Sequence, residues 1–368
     1  MKNQSIITII FSLFLSCVVE VGAQDSPTLP KGRLLYTDGS HEDVYLIAYR
    51  AGTATYRTSM RSLNKLQVKK PKLESIYLYE PDLFAEAMRL YRAKNYTEAK
   101  AKLVECETLY RALDTLPDNY ATLAGFYQME CSRRLNDLEA LSAELEKYRK
   151  DSLTRDFHFQ QMEVYAFWEA VRLKEWARLD RLALSWSDRK LPSELRVQIE
   201  YCHALALDEL VKESPGRFEE LIDAYNRVLS ADATASIDLV LKAANSLLRI
   251  YAEDEEVQFV MKNWDPSEDR AALAGDQKLS EAVTLVRYYK QVGFNDIKPL
   301  PANYEKFLEY APAESASAPE AKSDAAAEEA TEEATEEATE EATEEATEEA
   351  TEEATEEATE EATEEATE

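Results

Sequence analysis

The hydrophobic period of this chain changes at Pro81, and no other feature limits its fold so tightly. Before it, the run LLYTDGSHEDVYLIAYRAGTATYRTSM sets β-branched and aromatic residues at alternate positions, the period of two that buries one face of a sheet. Asp38-Gly39 and Ala51-Gly52 interrupt the run as hairpin turns, and LESIYLY, Leu73 to Tyr79, adds a further strand. Residues 32–80 are thus expected to form a small β-meander of four or five short strands. After Pro81 the period becomes 3.6. Phe84, Ala87 and Tyr91 mark one helical face, and Tyr96, Ala99, Leu103, Cys106 and Tyr110 mark the next. The tight turn Ala93-Lys94-Asn95 between them predicts an antiparallel helix hairpin, so the chain is expected to be mainly α with an N-terminal β segment.

The helical part carries a family resemblance. The stretch LFAEAMRLYRAKNYTEAKAKLVE resembles a tetratricopeptide (TPR) repeat. Leu83 stands at the family's first large position, Ala87 at the small residue of the helix crossing and Leu90 at the first-helix aromatic. Ala99 and Leu103 match the small and large positions of the second helix. Glu86, where an apolar residue is usual, and Arg111, where a Pro would close the repeat, depart from the pattern. Second helices are expected to open at Tyr96, Leu138, Trp176, Phe218 and Val257, at spacings of 42, 38, 42 and 39 residues, longer than the 34 of a standard TPR. The resemblance implies a TPR-like α-solenoid of about five helical hairpins, with ALALDELVKESPGRFEELIDAYNRVL as the fourth. This helical repeat domain, 82–310, would end in a cap from Leu279 to Gln291 and a short helix near Tyr304 to Tyr310. The preceding sheet resembles a curled meander or an SH3-like domain.

Charge divides the chain unevenly. Its formal net charge is −30, but residues 328–368 hold 21 Glu and no base, so the remainder has 51 acids against 42 bases, a net of −9. Residues 32–80 are locally basic: Arg33, Arg50, Arg57, Arg61, Lys65, Lys69, Lys70 and Lys72 face five acids, a net of +3. The Lys-Lys-Pro-Lys stretch at 69–72 reads as a solvated loop or as a patch for an anionic partner, the chain's own tail included. Residues 311–327 read as an Ala/Pro/Ser-rich linker. In the acidic TEEA low-complexity tail, 19 like-charged Glu pairs at i,i+4 oppose a helix by about 4–10 kcal/mol at low salt. A four-residue period also never aligns Ala into a packing stripe, so a disordered tail is expected.

Residues 1–23 read as a signal peptide: Lys2, an apolar run from Ile6 to Val19, and Val21-Gly22-Ala23 as the cleavage site. A lipid anchor at Cys17 is the alternative, against which Phe14-Leu15-Ser16 is a poor lipoprotein match. No stretch offers the roughly 20 apolar residues of an integral membrane span. Cys106, Cys131 and Cys202 then remain, an odd number that reads as small core residues, with a Cys106–Cys131 bridge as the alternative.

Chemistry is sparse. His41, His158 and His203 have no companions at metal-ligand spacing, and the neighbours Cys202 and His203 point about 100° apart on a helix. Only 8 Gly occur, too few for the phosphate cradles and nucleophile turns that need positive φ. Phe167, Trp168, Trp176 and Trp186 read as core, or else as the lining of a ligand groove. Export and a negative field argue against nucleic acid. No catalytic, cofactor-binding or metal residue is assigned, and binding residues stay unassigned. The expectation is a non-enzymatic exported scaffold, periplasmic or secreted, that binds a protein or peptide partner on the first helices of its repeats. The alternative is an envelope-tethered assembly factor acting through its basic β-domain or acidic tail.

Overall fold

A computed structural model describes residues 29–231, 233–264 and 273–311. The expected signal peptide with Cys17, and the linker and tail beyond Ala311, lie outside the described residues. The chain divides into two units, Met1–Tyr310 and Ala311–Glu368, and every strand and helix named below belongs to the first.

Alternation in residues 31–78 produces a five-stranded antiparallel sheet: β1 (Lys31–Tyr36), β2 (His41–Arg50), β3 (Thr53–Arg57), β4 (Leu66–Lys69) and β5 (Leu73–Leu78), in the order β4-β3-β2-β1-β5. Ala51 and Gly52 both have positive φ, 48° and 72°, as a two-residue turn matching the strand twist requires. A 3-10 turn, Lys70–Lys72, leads into β5, which returns beside β1. Gly32 lies where these strands pass closest: a Cβ there would sit 2.8 Å from the Tyr77 carbonyl oxygen and 2.9 Å from Leu46 Cδ1. One face buries Leu34, Val44, Leu46, Ala54, Tyr56 and Val68. These side chains join Phe84, Ala87, Leu103, Cys106 and Leu113 in one continuous core, so the sheet and the first helices share an interior.

Thirteen α-helices follow among the described residues. The first ten form five consecutive pairs: α1 (Asp82–Arg92) with α2 (Tyr96–Tyr110), α3 (Tyr120–Arg134) with α4 (Leu138–Leu145), α5 (Asp156–Arg172) with α6 (Trp176–Trp186), α7 (Ser193–Leu210) with α8 (Phe218–Leu229), and α9 (Ala233–Glu253) with α10 (Glu255–Asn263). Four second helices open at the expected residues, Tyr96, Leu138, Trp176 and Phe218. The fifth opens two residues before Val257, because Asp254 caps it by accepting from the Glu256 and Val257 amides at 2.9 and 3.1 Å.

Three of the pairs turn identically. In Arg92-Ala93-Lys94-Asn95-Tyr96, Arg134-Leu135-Asn136-Asp137-Leu138 and Arg172-Leu173-Lys174-Glu175-Trp176, the middle residue is left-handed, with φ of 61°, 60° and 56°. Its amide bonds back three residues, to the carbonyls of Tyr91, Arg133 and Val171. The next amide bonds back five, to those of Leu90, Ser132 and Ala170, each at 2.9 Å. That double bond pattern closes a helix C-terminus. The residue donating the second bond also starts the following helix, its carbonyl accepting from Ala99, Leu141 or Leu179. The fourth pair turns instead through the 3-10 segment Pro215–Arg217. Beyond α10 come α11 (Asp276–Gln291), which contains the expected cap segment, the short α12 (Phe294–Ile297) and α13 (Ala302–Glu305), and a 3-10 segment, Lys306–Tyr310.

Candidate functional site

Oppositely charged residues three apart on a helix normally face water, yet Glu130 and Arg133 of α3 are buried. Arg133 Nε donates to Glu130 Oε1 at 2.9 Å and Nη2 to Oε2 at 2.7 Å. Tyr165 of α5 donates to Oε1 at 2.7 Å, and Tyr91 of α1 donates to Oε2 at 3.4 Å. Burial alone would raise the Glu130 carboxyl, but the Arg133 charge and hydrogen bonds hold it below the ordinary carboxylate value. Arg133 also lies over the Trp168 ring, 5.9 Å from its centroid.

Its neighbour Arg134 reaches across the chain. Nη2 donates to Glu194 of α7 at 2.6 Å and Nη1 to Asp238 of α9 at 3.0 Å. The adjacent layer is neutral: Trp168 Nε1 donates to Gln198 at 3.0 Å, and Gln161 and Gln198 exchange hydrogen bonds at 2.8 and 3.1 Å. Burial raises the Glu194 carboxyl despite Arg134, and burial lowers the Lys242 ammonium despite Asp238. The first helices of all five pairs are therefore tied by one polar network. Its three acids, Glu130, Glu194 and Asp238, balance Arg133, Arg134 and Lys242. Such a set has no net formal charge and ties the helices to one another.

A second cluster joins α6, α7 and the turn before α8. His203 Nε2 and Asp180 Oδ1 are 2.9 Å apart, and Arg217 donates to both Asp180 oxygens at 3.0 Å. Burial would raise the Asp180 carboxyl, but Arg217 and His203 together lower it. Arg217 and His203 share the Asp180 carboxylate, and Cys202 lies buried on a different helical direction, so the cluster reads as a clamp between helices.

The remaining sequence candidates fall into place individually. Phe167 and Trp168 are buried, with Phe167 edge-on to Trp186 at 5.2 Å, which places them in the core. His41 is exposed on β2, while His158 is buried with its ring 4.4 Å from that of Phe126 and its Nδ1 unpartnered. Cys106, Cys131 and Cys202 are free and buried, and burial pushes the Cys106 and Cys131 thiols up to about 12. Among the described residues no cluster of three or more His, Cys, Asp or Glu could hold a metal ion, and no helix is long and apolar enough to cross a membrane. A groove of 570 Å³ lies between α8, α9 and α11, lined by Leu247, Tyr251, Leu285 and Tyr288. Its one carboxylate, Glu281, is held by Tyr251 at 2.7 Å and Gln277 at 3.0 Å.

The long-range partners of Arg134 leave no sequence signal, because 60 and 104 residues separate it from Glu194 and Asp238. The Arg133-Arg134 dipeptide at a helix end reads as dipole compensation unless its burial is known. No family model, curated protein or solved structure matches this chain.

Proposed function

We propose that this protein is a non-enzymatic exported scaffold, periplasmic or secreted, that binds a protein or peptide partner through TPR-like repeats. The observation that carries the reading is the turn repeated at Lys94, Asn136 and Lys174, with one hydrogen-bond pattern at intervals of 42 and 38 residues. Recurrence of one local solution is what stacked helix pairs require. The β4-β3-β2-β1-β5 order, with a 3-10 turn before β5, supports an SH3-like reading of the sheet.

In a repeat array of this kind the first helices present the partner surface. The neutral network around Arg134 would form its floor, and contact would come from exposed side chains around it. Among the described residues, Phe157 and Phe159 of α5, each 39% exposed, are the large apolar side chains open to solvent on the first helices. Capture from envelope extract with the full chain, then titration with the purified captured protein, tests the reading. Phe157 lies one turn before Gln161 on the network side of α5 and Phe159 points to the other side, so saturable binding that leaves the partner chemically unchanged and weakens in Phe157→Ala more than in Phe159→Ala supports it. Cleavage or modification of the partner, or affinity indifferent to Phe157→Ala, contradicts it.

A further inference from the structure

The sheet leaves a larger share of its bases without carboxylate partners than the helices do. Of the nine Lys and Arg from Lys31 to Lys72, only Arg33 has a carboxylate partner among the described residues, Asp43 at 2.7 Å. The helical part pairs many of its bases, Arg133, Arg134, Arg172, Arg217 and Arg249 among them, although Arg89, Arg92 and Arg181 stand without a carboxylate partner there too among the described residues. The unpaired bases concentrate around one strand. Arg61, Lys65, Lys69, Lys70 and Lys72 are exposed, and no acid occurs between Arg57 and Lys72.

That strand is β4, which pairs only with β3 and leaves its other edge open. Register fixes which backbone groups face outward. Lys70 N donates to Gly52 O at 2.7 Å, and the same register sets Val68 against Ala54 and Leu66 against Tyr56. Since bonded and non-bonded pairs alternate in an antiparallel ladder, Gln67 turns its N–H and C=O and Lys69 its N–H to the open edge, while the Lys69 carbonyl caps the 3-10 turn Lys70–Lys72. No backbone bond outside the sheet satisfies them among the described residues. Beside this edge Leu63 is 87% and Leu66 43% exposed.

We propose that the open edge of β4 is a docking strand for an acidic, extended polypeptide segment. Lysines on an edge strand ordinarily repel stray strands. Against a segment of alternating acidic and apolar residues the same lysines attract, so the edge selects its partner by charge. A polyanion without a peptide backbone would use the charge but neither the three outward backbone groups nor the exposed leucines. The inference uses only the sheet and is independent of the helical-face reading, so either fails alone.

The test titrates the full chain with a labelled ten-residue peptide alternating Glu and Val, the same peptide with Lys for Glu, and vesicles of phosphatidylglycerol. The expected result is saturable binding of the acidic peptide alone, with slowed amide exchange at Gln67 and Lys69. The triple variant K65E, K69E and K72E should bind at least tenfold more weakly. Gln67→Pro removes an outward N–H without changing charge, a substitution edge strands tolerate, and should weaken binding comparably while the circular dichroism stays that of the parent. Undiminished binding by Gln67→Pro, vesicle adsorption without peptide binding, or edge-to-edge dimers of the chain would each overturn the proposal.

Discussion

Glu130 and Arg133 form a two-bonded ion pair within one turn of α3, with side chains only 5% and 1% exposed. Removing one member of such a pair strands a buried charge. Glu130→Gln should therefore cost about 3–5 kcal/mol, read as a shift in urea unfolding midpoint at constant slope. The double replacement of Glu130 by Leu and Arg133 by Met should cost less than Glu130→Gln alone, since it leaves no charge behind.

His158 predicts an acid-sensitive step. Burial, with Arg155 adding, lowers its pKa from the ordinary 6.5, while Asp118 opposes; the rings of Phe126, Tyr127 and Phe157 complete its surroundings. The folded chain thus favours the neutral ring. Its contribution is intact above pH 6.5 and is lost as pH falls through the lower folded value, at no more than about 1.4 kcal/mol per pH unit. Unfolding free energies from pH 7 to pH 5 should fall less steeply in His158→Phe than in the parent. Equal slopes would show that this ring does not titrate on unfolding.

The three left-handed turn residues are a separate target. Lys94 and Lys174 hold φ of 61° and 56°, a conformation that strains a side chain but not glycine. Lys94→Gly and Lys174→Gly should each stabilise the chain by about 0.5–1 kcal/mol, whereas Lys94→Val should destabilise it by about 1–2 kcal/mol. Thermal unfolding of the three variants distinguishes these signs.

Gly32 is constrained by space and not by torsion. Its missing Cβ would overlap the Tyr77 carbonyl at 2.8 Å, and backbone cannot yield as a flexible side chain does. Gly32→Ala should cost about 1–3 kcal/mol, seen as a lowered unfolding midpoint.

How much of this was readable in the sequence depends on the range of each interaction. The openings at Tyr96, Leu138, Trp176 and Phe218 were legible because periodicity and turn chemistry are local. The α10 opening lies two residues before Val257 because the Asp254 cap, and not the apolar face, sets where that helix begins. Strand positions followed from alternation, but the return of β5 to β1 is a choice among pairings that alternation does not make. The core shared by Leu46 and Leu103 was equally silent. The site was least legible: charge pairs such as Glu130 with Arg133 look like surface pairs until the fold buries them, and Asp180 gives no hint that it meets both His203 and Arg217.

Partner binding on the first helices would register in amide hydrogen exchange of the full chain with and without its purified partner. Slowed exchange is expected in α1, α3, α5, α7 and α9, strongest around Phe157, with α2, α4, α6, α8 and α10 unchanged. Protection confined to the second helices, or to the sheet with none on the first helices, would contradict it.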